Sequence, residues 1–147
     1  MMPLPPVHGW LIDYRTAHII FASKSNVRID HIIARCQAGN LHICHREESK
    51  FRADDLLLGP FIDDQCCVYE PDDDVYDRCP AVEHSAVAVG KTLLVGSEAA
   101  VFMTALAIAK QFGVISDHTS PRFATVHDLC PAYGVPVLTA DQYFQLI

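Results

Sequence analysis

Short apolar runs that end on a polar or acidic residue, alternating with helically spaced segments, constrain this chain most. Gly9-Trp10-Leu11-Ile12-Asp13, Leu41-His42-Ile43-Cys44, Val114-Ile115-Ser116-Asp117 and Val135-Pro136-Val137-Leu138 each read as a strand. The connections between strands and helices are short, which predicts a mostly parallel sheet covered on both faces, a three-layer α/β/α sandwich. Ligands bind to such sheets outside the carboxyl ends of the strands, so acids at the last residue of a run, Asp13 and Asp117, are placed for chemistry rather than packing.

The intervening segments carry helix signals. Thr16 to Ala22 reads as a short helix. Ile29, Ile32, Ile33 and Cys36 follow helical spacing, with Ser25 or Asn26 as the cap and Gly39-Asn40 as the stop. Cys66-Cys67-Val68-Tyr69 reads as a third strand, and Pro71-Asp72-Asp73-Asp74 leads into a helix containing Val75 and Tyr76. That acidic run is read as helix-start charge in solvent rather than as a metal site. The clearest helix is predicted from Glu98 to Phe112, capped by Ser97, ended by Gly113, and facing the core with Phe102, Ala105, Leu106 and Ala109. Glu98 lies one turn before Phe102, at the expected rim of that stripe. Ser120-Pro121 signals another helix start, with Phe123, Val126 and Cys130 inward, and Tyr133-Gly134 a turn.

At 147 residues and 50% hydrophobic content the chain suits one domain, expected over 9–147 after an extended tail at 1–8 that includes Pro3, Pro5 and Pro6. No apolar run approaches the roughly 20 residues of a membrane span. The start has no basic region and long apolar stretch, so the expected location is the cytoplasm, away from membranes. The formal charge of −7 argues against chain-wide attraction to nucleic acid. It leaves a nuclease open, because carboxylates that hold divalent ions add to the negative count. The six cysteines show no paired CxxC spacing and read as buried thiols in a reducing compartment. In His42-Ile43-Cys44-His45, strand alternation sends His42 and Cys44 to one face and His45 to the other, so these are read as ordinary strand residues. Gly90-Lys91-Thr92 has the tail of a phosphate loop without its earlier glycine, which ranks a nucleotide-binding or receiver-like domain low.

Three places in this order of elements resemble the PIN-domain nucleases, a family that includes toxins of toxin–antitoxin pairs: Leu11-Ile12-Asp13, Gly96-Ser97-Glu98-Ala99-Ala100, and Val114-Ile115-Ser116-Asp117 with the later Gly134-Val135-Pro136-Val137-Leu138-Thr139. Ile29 to Gly39, the strand at Leu41 and the acids Glu47-Glu48 also fit the family order. Two positions differ from the usual pattern: Tyr14-Arg15 follows the first aspartate, and His118 follows Asp117 in place of a second acid. The resemblance implies a metal-dependent ribonuclease in which Asp13, Glu98 and Asp117 bind Mg²⁺ or Mn²⁺, with Glu47 (or its neighbour Glu48) as a fourth carboxylate. Arg15, Arg46 and Arg122 are the basic residues nearest that site in sequence, and Arg15 and Arg122 are the expected contacts to RNA phosphates. The exposed apolar surface expected on so small and hydrophobic a chain suits a second copy or an antitoxin-like protein as partner. The alternative expectation is a catalytically inactive PIN-like module that holds a protein partner, because fold does not fix function.

Overall fold

The computed structural model describes residues 6–54, 56–58, 68–91 and 98–146. Five strands, β1 (Gly9–Ile12), β2 (Leu41–Cys44), β3 (Val68–Tyr69), β4 (Phe112–Ile115) and β5 (Val137–Leu138), form one parallel sheet in the order β3-β2-β1-β4-β5. Among the described residues, seven α-helices flank them: α1 (Tyr14–Ala22), α2 (Asn26–Gln37), α3 (Glu48–Ala53), α4 (Asp73–Ala88), α5 (Glu98–Lys110), α6 (Val126–Leu129) and α7 (Ala140–Gln145). The expected three-layer sandwich with a parallel central sheet is therefore the fold. Among the described residues, no helix is long and apolar enough to cross a membrane.

Strand alternation divides the core in two. Leu11 and Val114 point to one face, where they join Cys79, Val82 and Ala86 of α4, Val101, Met103 and Leu106 of α5, and Leu129 of α6. Ile12, Ile43 and Ile115 point to the other, against Ala17, Ile20, Ile32, Phe51 and Tyr143 of α1, α2, α3 and α7. Both faces are thus sealed, which is the condition under which an all-parallel sheet is stable.

Several expected boundaries move. α5 ends at Lys110, two residues before the expected Phe112, and the reversal is made by Gln111 at φ +57°. Gly113 does not stop the helix but lies inside β4, where the Trp10 ring covers it so closely that a Cβ would sit 2.4 Å from Trp10 Cζ3. The absence of a side chain at Gly113 is what makes room for the indole of β1. The core stripe of α5 is also broader than expected: Val101, Met103, Thr104, Ala105, Leu106 and Ala107 are buried, while Phe102 and Ala109 are half-buried. The helix is enclosed by the sheet, α4 and α6 rather than resting on one layer.

The Ser120-Pro121 signal starts no helix. Ser120 Oγ accepts the N–H groups of Arg122 and Phe123 in a local turn, and α6 begins only after Thr125, whose side chain and Asp128 form a reciprocal cap. His45 opens a single 3₁₀ turn, His45–Glu47, so it leaves the strand instead of pointing to the opposite face. Gly134 turns the chain at φ +70°, as its sequence context predicts, and the last strand is confined to Val137–Leu138. The expected cap Ser97 and the expected strand residues Cys66 and Cys67 lie outside the described residues. Asp72 caps α4 by accepting the Val75 N–H and pairs with Lys110, which makes the acidic run a helix start.

Candidate active site

The strand order reverses between β1 and β4. From β1 the chain proceeds outward to β2 and β3, then returns to the opposite side of β1 for β4 and β5. Ile12 is in register with Ile115, so Asp13 and Ser116 emerge side by side at the carboxyl ends of the two central strands. The loops leaving two such strands diverge to opposite sides, which opens a crevice where ligands bind in open parallel sheets.

Asp13 is held there by bonds that fix both its oxygens. Oδ1 accepts the Thr16 N–H at 2.8 Å and so caps α1, and Oδ2 accepts the Ser116 hydroxyl. The Ser116 hydroxyl oxygen also accepts the His118 N–H at 3.1 Å, while His127 Nε2 donates to the Ser116 carbonyl at 2.6 Å. The aspartate at the end of β1 is therefore tied across the switch point to the end of β4.

Glu47 enters from the 3₁₀ turn after β2. Its Oε1 accepts the N–H of Tyr14, the residue next to Asp13, at 3.0 Å, and Lys50 Nζ lies 3.5 Å from Oε2. Asp13 and Glu47 are 7% and 5% exposed, so two carboxylates are buried side by side. Burial, and secondly the negative charge of Asp13, push the Glu47 carboxyl up to about 7, against the opposing pull of the Tyr14 N–H and Lys50.

Both acids line a cavity of about 550 Å³. Ser116, Arg15, Lys50 and His118 line it with them, and Tyr14 adds its ring. Tyr14 is steadied from outside the cavity by Asp54, which accepts its hydroxyl at 3.0 Å and contacts His18 Nδ1 at 2.6 Å. His118 Nδ1 is buried and has no hydrogen-bond partner among the described residues. Burial, and then the charge of Arg15, lower the His118 pKa and favour the neutral ring.

The other expected site residues lie elsewhere. Glu98 is exposed rather than at the rim of the buried stripe, and its Oε2 is 3.7 Å from Arg46, whose guanidinium packs 4.6 Å from the centre of the Phe102 ring. Asp117 is half-buried beside the crevice, with Oδ1 accepting the Ala140 N–H at the start of α7 and its own N–H donated to Thr16. Neither Glu98 nor Asp117 lines the cavity, and among the described residues no three His, Cys, Asp or Glu side chains are grouped for one ion. Arg122 is exposed, whereas Arg15 reaches the cavity wall. Glu48 pairs with Arg52 at 3.1 Å, so Glu47 rather than Glu48 is the acid that turns inward.

A hard divalent cation suits the Asp13–Glu47 pair. Mg²⁺ is held through one or two carboxylates, keeps several waters and shares substrate phosphate, so two adjacent oxygen donors beside an open cavity match its chemistry. Sequence reasoning did not single out Ser116, Lys50 or His118 for this site. The three-residue spacing of Lys50 from Glu47 was the readable signal for one of them. No protein-family model matches the chain, and no curated protein shows significant similarity to it.

Proposed function

We propose that this chain is a metal-dependent ribonuclease of PIN-like character, hydrolysing RNA phosphodiester bonds at the cavity beside Asp13 and Glu47. The observation that carries this reading is the buried, mutually repelling carboxylate pair at the switch point of a parallel sheet. Burying two acids is costly, and a carboxyl perturbed like that of Glu47 belongs to the kind of group that concentrates at functional sites.

In this reading Asp13 and Glu47 hold Mg²⁺ or Mn²⁺. When bound, the ion supplies Lewis acidity toward a phosphate oxygen and lowers the pKa of water. The protein contributes the rest. Ser116 and the α1 cap keep Asp13 in one orientation, and Arg15 and Lys50 present cationic donors to a phosphate. The same reading assigns the protein to the cytoplasm, supported by the four free, buried cysteines among the described residues, with an antitoxin-type protein or a second copy as partner. Exposed Ile19 and Val27, 48% and 82% accessible, support a partner surface.

Calorimetry of Mn²⁺ binding tests the proposal. Saturable binding that Asp13→Asn and Glu47→Gln each abolish while the circular dichroism spectrum is unchanged is the expected result, accompanied by Mn²⁺-dependent cleavage of single-stranded RNA. A second reading, the inactive partner-binding module, is favoured by Lys50 on Glu47 and Arg46 on Glu98, since both cations already face acids of the expected set. Absence of Mn²⁺ binding by the intact protein selects that module.

A further inference from the structure

The cavity has two chemically distinct halves. By chemistry, Asp13, Glu47, Arg15 and Lys50 make the polar half of its lining, and Ala99, Ala100 and Met103 of α5 with Phe123, Ala124 and Val126 around the start of α6 make the apolar half. Met103, Ala124 and Val126 are almost completely buried, and Phe123 is the large ring left half-accessible at this wall. At about 550 Å³ the cavity lies in the range of small-molecule sites, roughly 300–1,000 Å³.

A metal ion and a phosphate use only the polar half. Water gains little against alanine, methionine, phenylalanine and valine side chains, so the apolar half fits a flat, weakly polar group attached to the phosphate. Nucleobases have that character, because every base offers a π-face that stacks on an aromatic ring irrespective of sequence. A base also carries hydrogen-bonding edges, and the buried His118 Nδ1 at the same cavity wall has no partner among the described residues. In a neutral imidazole that nitrogen serves as donor or acceptor, according to tautomer.

The geometry points to a base-binding subsite, resting on the reading above, in which an unstacked nucleobase lies on Phe123 against Met103 and Val126, while its phosphate meets Arg15 and Lys50 beside Asp13 and Glu47. A single strand, the substrate form already proposed, offers a nucleotide that can leave the stack. A duplex keeps its bases stacked and paired, and does not present that nucleotide without the cost of extruding it.

Calorimetric titration of the full chain with adenosine 5′-monophosphate, ribose 5-phosphate, a short oligoadenylate and its duplex with oligouridylate, each with Mn²⁺ present, tests this. The nucleotide is expected to bind about tenfold more tightly than ribose 5-phosphate, the scale of one base–aromatic stack. Phe123→Ala is expected to erase that difference and leave ribose 5-phosphate binding unchanged. Ala99→Trp, at a half-exposed position, provides a second variant that fills the apolar half without removing core contacts. The single strand is expected to bind, and the duplex is not. Equal affinity for the nucleotide and ribose 5-phosphate, or a base preference that survives both substitutions, overturns the subsite. Nucleotide binding without oligoadenylate binding overturns the assignment to a strand. If Mn²⁺ binds through Asp13 but no nucleotide does, the subsite is wrong and the metal-dependent reading stands. A base preference lost in Phe123→Ala, in a protein that binds no Mn²⁺, keeps the subsite and removes the hydrolase.

Discussion

Glu47 makes the site sensitive to pH in a defined direction. Its carboxyl has an ordinary value of 4.5 and is raised to about 7 in the folded protein by burial and by Asp13. The folded state therefore holds the proton more tightly than the unfolded state. Stability from this group is complete below about pH 4.5 and is lost as pH rises through about 7, by on the order of 3 kcal/mol. Gln retains an acceptor for the Tyr14 N–H, so Glu47→Gln is expected to be more stable than the parent at about pH 8 and to match it near pH 4. Urea unfolding at the two pH values measures the difference. Asp13→Ala acts differently: it removes the α1 cap and leaves the Ser116 hydroxyl without its acceptor, with an expected loss of about 2 kcal/mol. Asp13→Asn preserves the cap and is the better variant for testing metal binding. Asp13 was legible in the sequence because it ends an apolar strand. His118 was not, because only the folded chain brings it to the wall that Asp13 and Glu47 share, whereas the spacing of Lys50 from Glu47 was a signal that went unused.

Elements were read best where one force acts alone. β1, β2 and the α2 pattern follow from short apolar runs and a single helical stripe, and their positions match the sequence expectation closely. α5 was misjudged at its end because glycine was taken as the stop, while the left-handed residue is Gln111 and Gly113 serves the packing of Trp10. Gly113→Ala tests that role. The added Cβ overlaps the indole, so overpacking is expected to cost about 1–3 kcal/mol and to shift the emission of Trp10, the sole tryptophan. Thr125 was passed over as a cap in favour of Ser120 because Ser-Pro is the stronger local signal. The reciprocal bonds between Thr125 and Asp128 prevail in the folded chain, and Lys91 strengthens them by bonding Asp128 Oδ1 at 2.7 Å and the Ser120 carbonyl at 2.8 Å. That loop carries Phe123 and Ala124, so a lysine distant in sequence positions one wall of the cavity.

For the whole molecule, the division into two core layers leaves the crevice between β1 and β4 as the place where a ligand gains most from the fold. A cation that binds the folded chain and not the unfolded one stabilises it by about 2.7 kcal/mol at a free concentration one hundred times its dissociation constant. Mn²⁺ at that level is therefore expected to raise the thermal midpoint of the intact protein by several degrees, and to leave that of Asp13→Asn unchanged. Differential scanning calorimetry reads both. The architecture was legible as a whole because alternation of element types is a property of the entire sequence, whereas the convergence of acids depends on side-chain directions that alternation does not specify.

The pairing of β1 with β4 also sets a timetable. Asp13 leaves the ribosome before its hydroxyl partner Ser116, which follows 103 positions later, and β1 has only one of its two neighbouring strands until Phe112–Ile115 is made. Synthesis must therefore pass Ser116 before the crevice exists. A nascent fragment that stops short of β4 can present Asp13 and Glu47, yet it lacks the far side of the cleft that orients them.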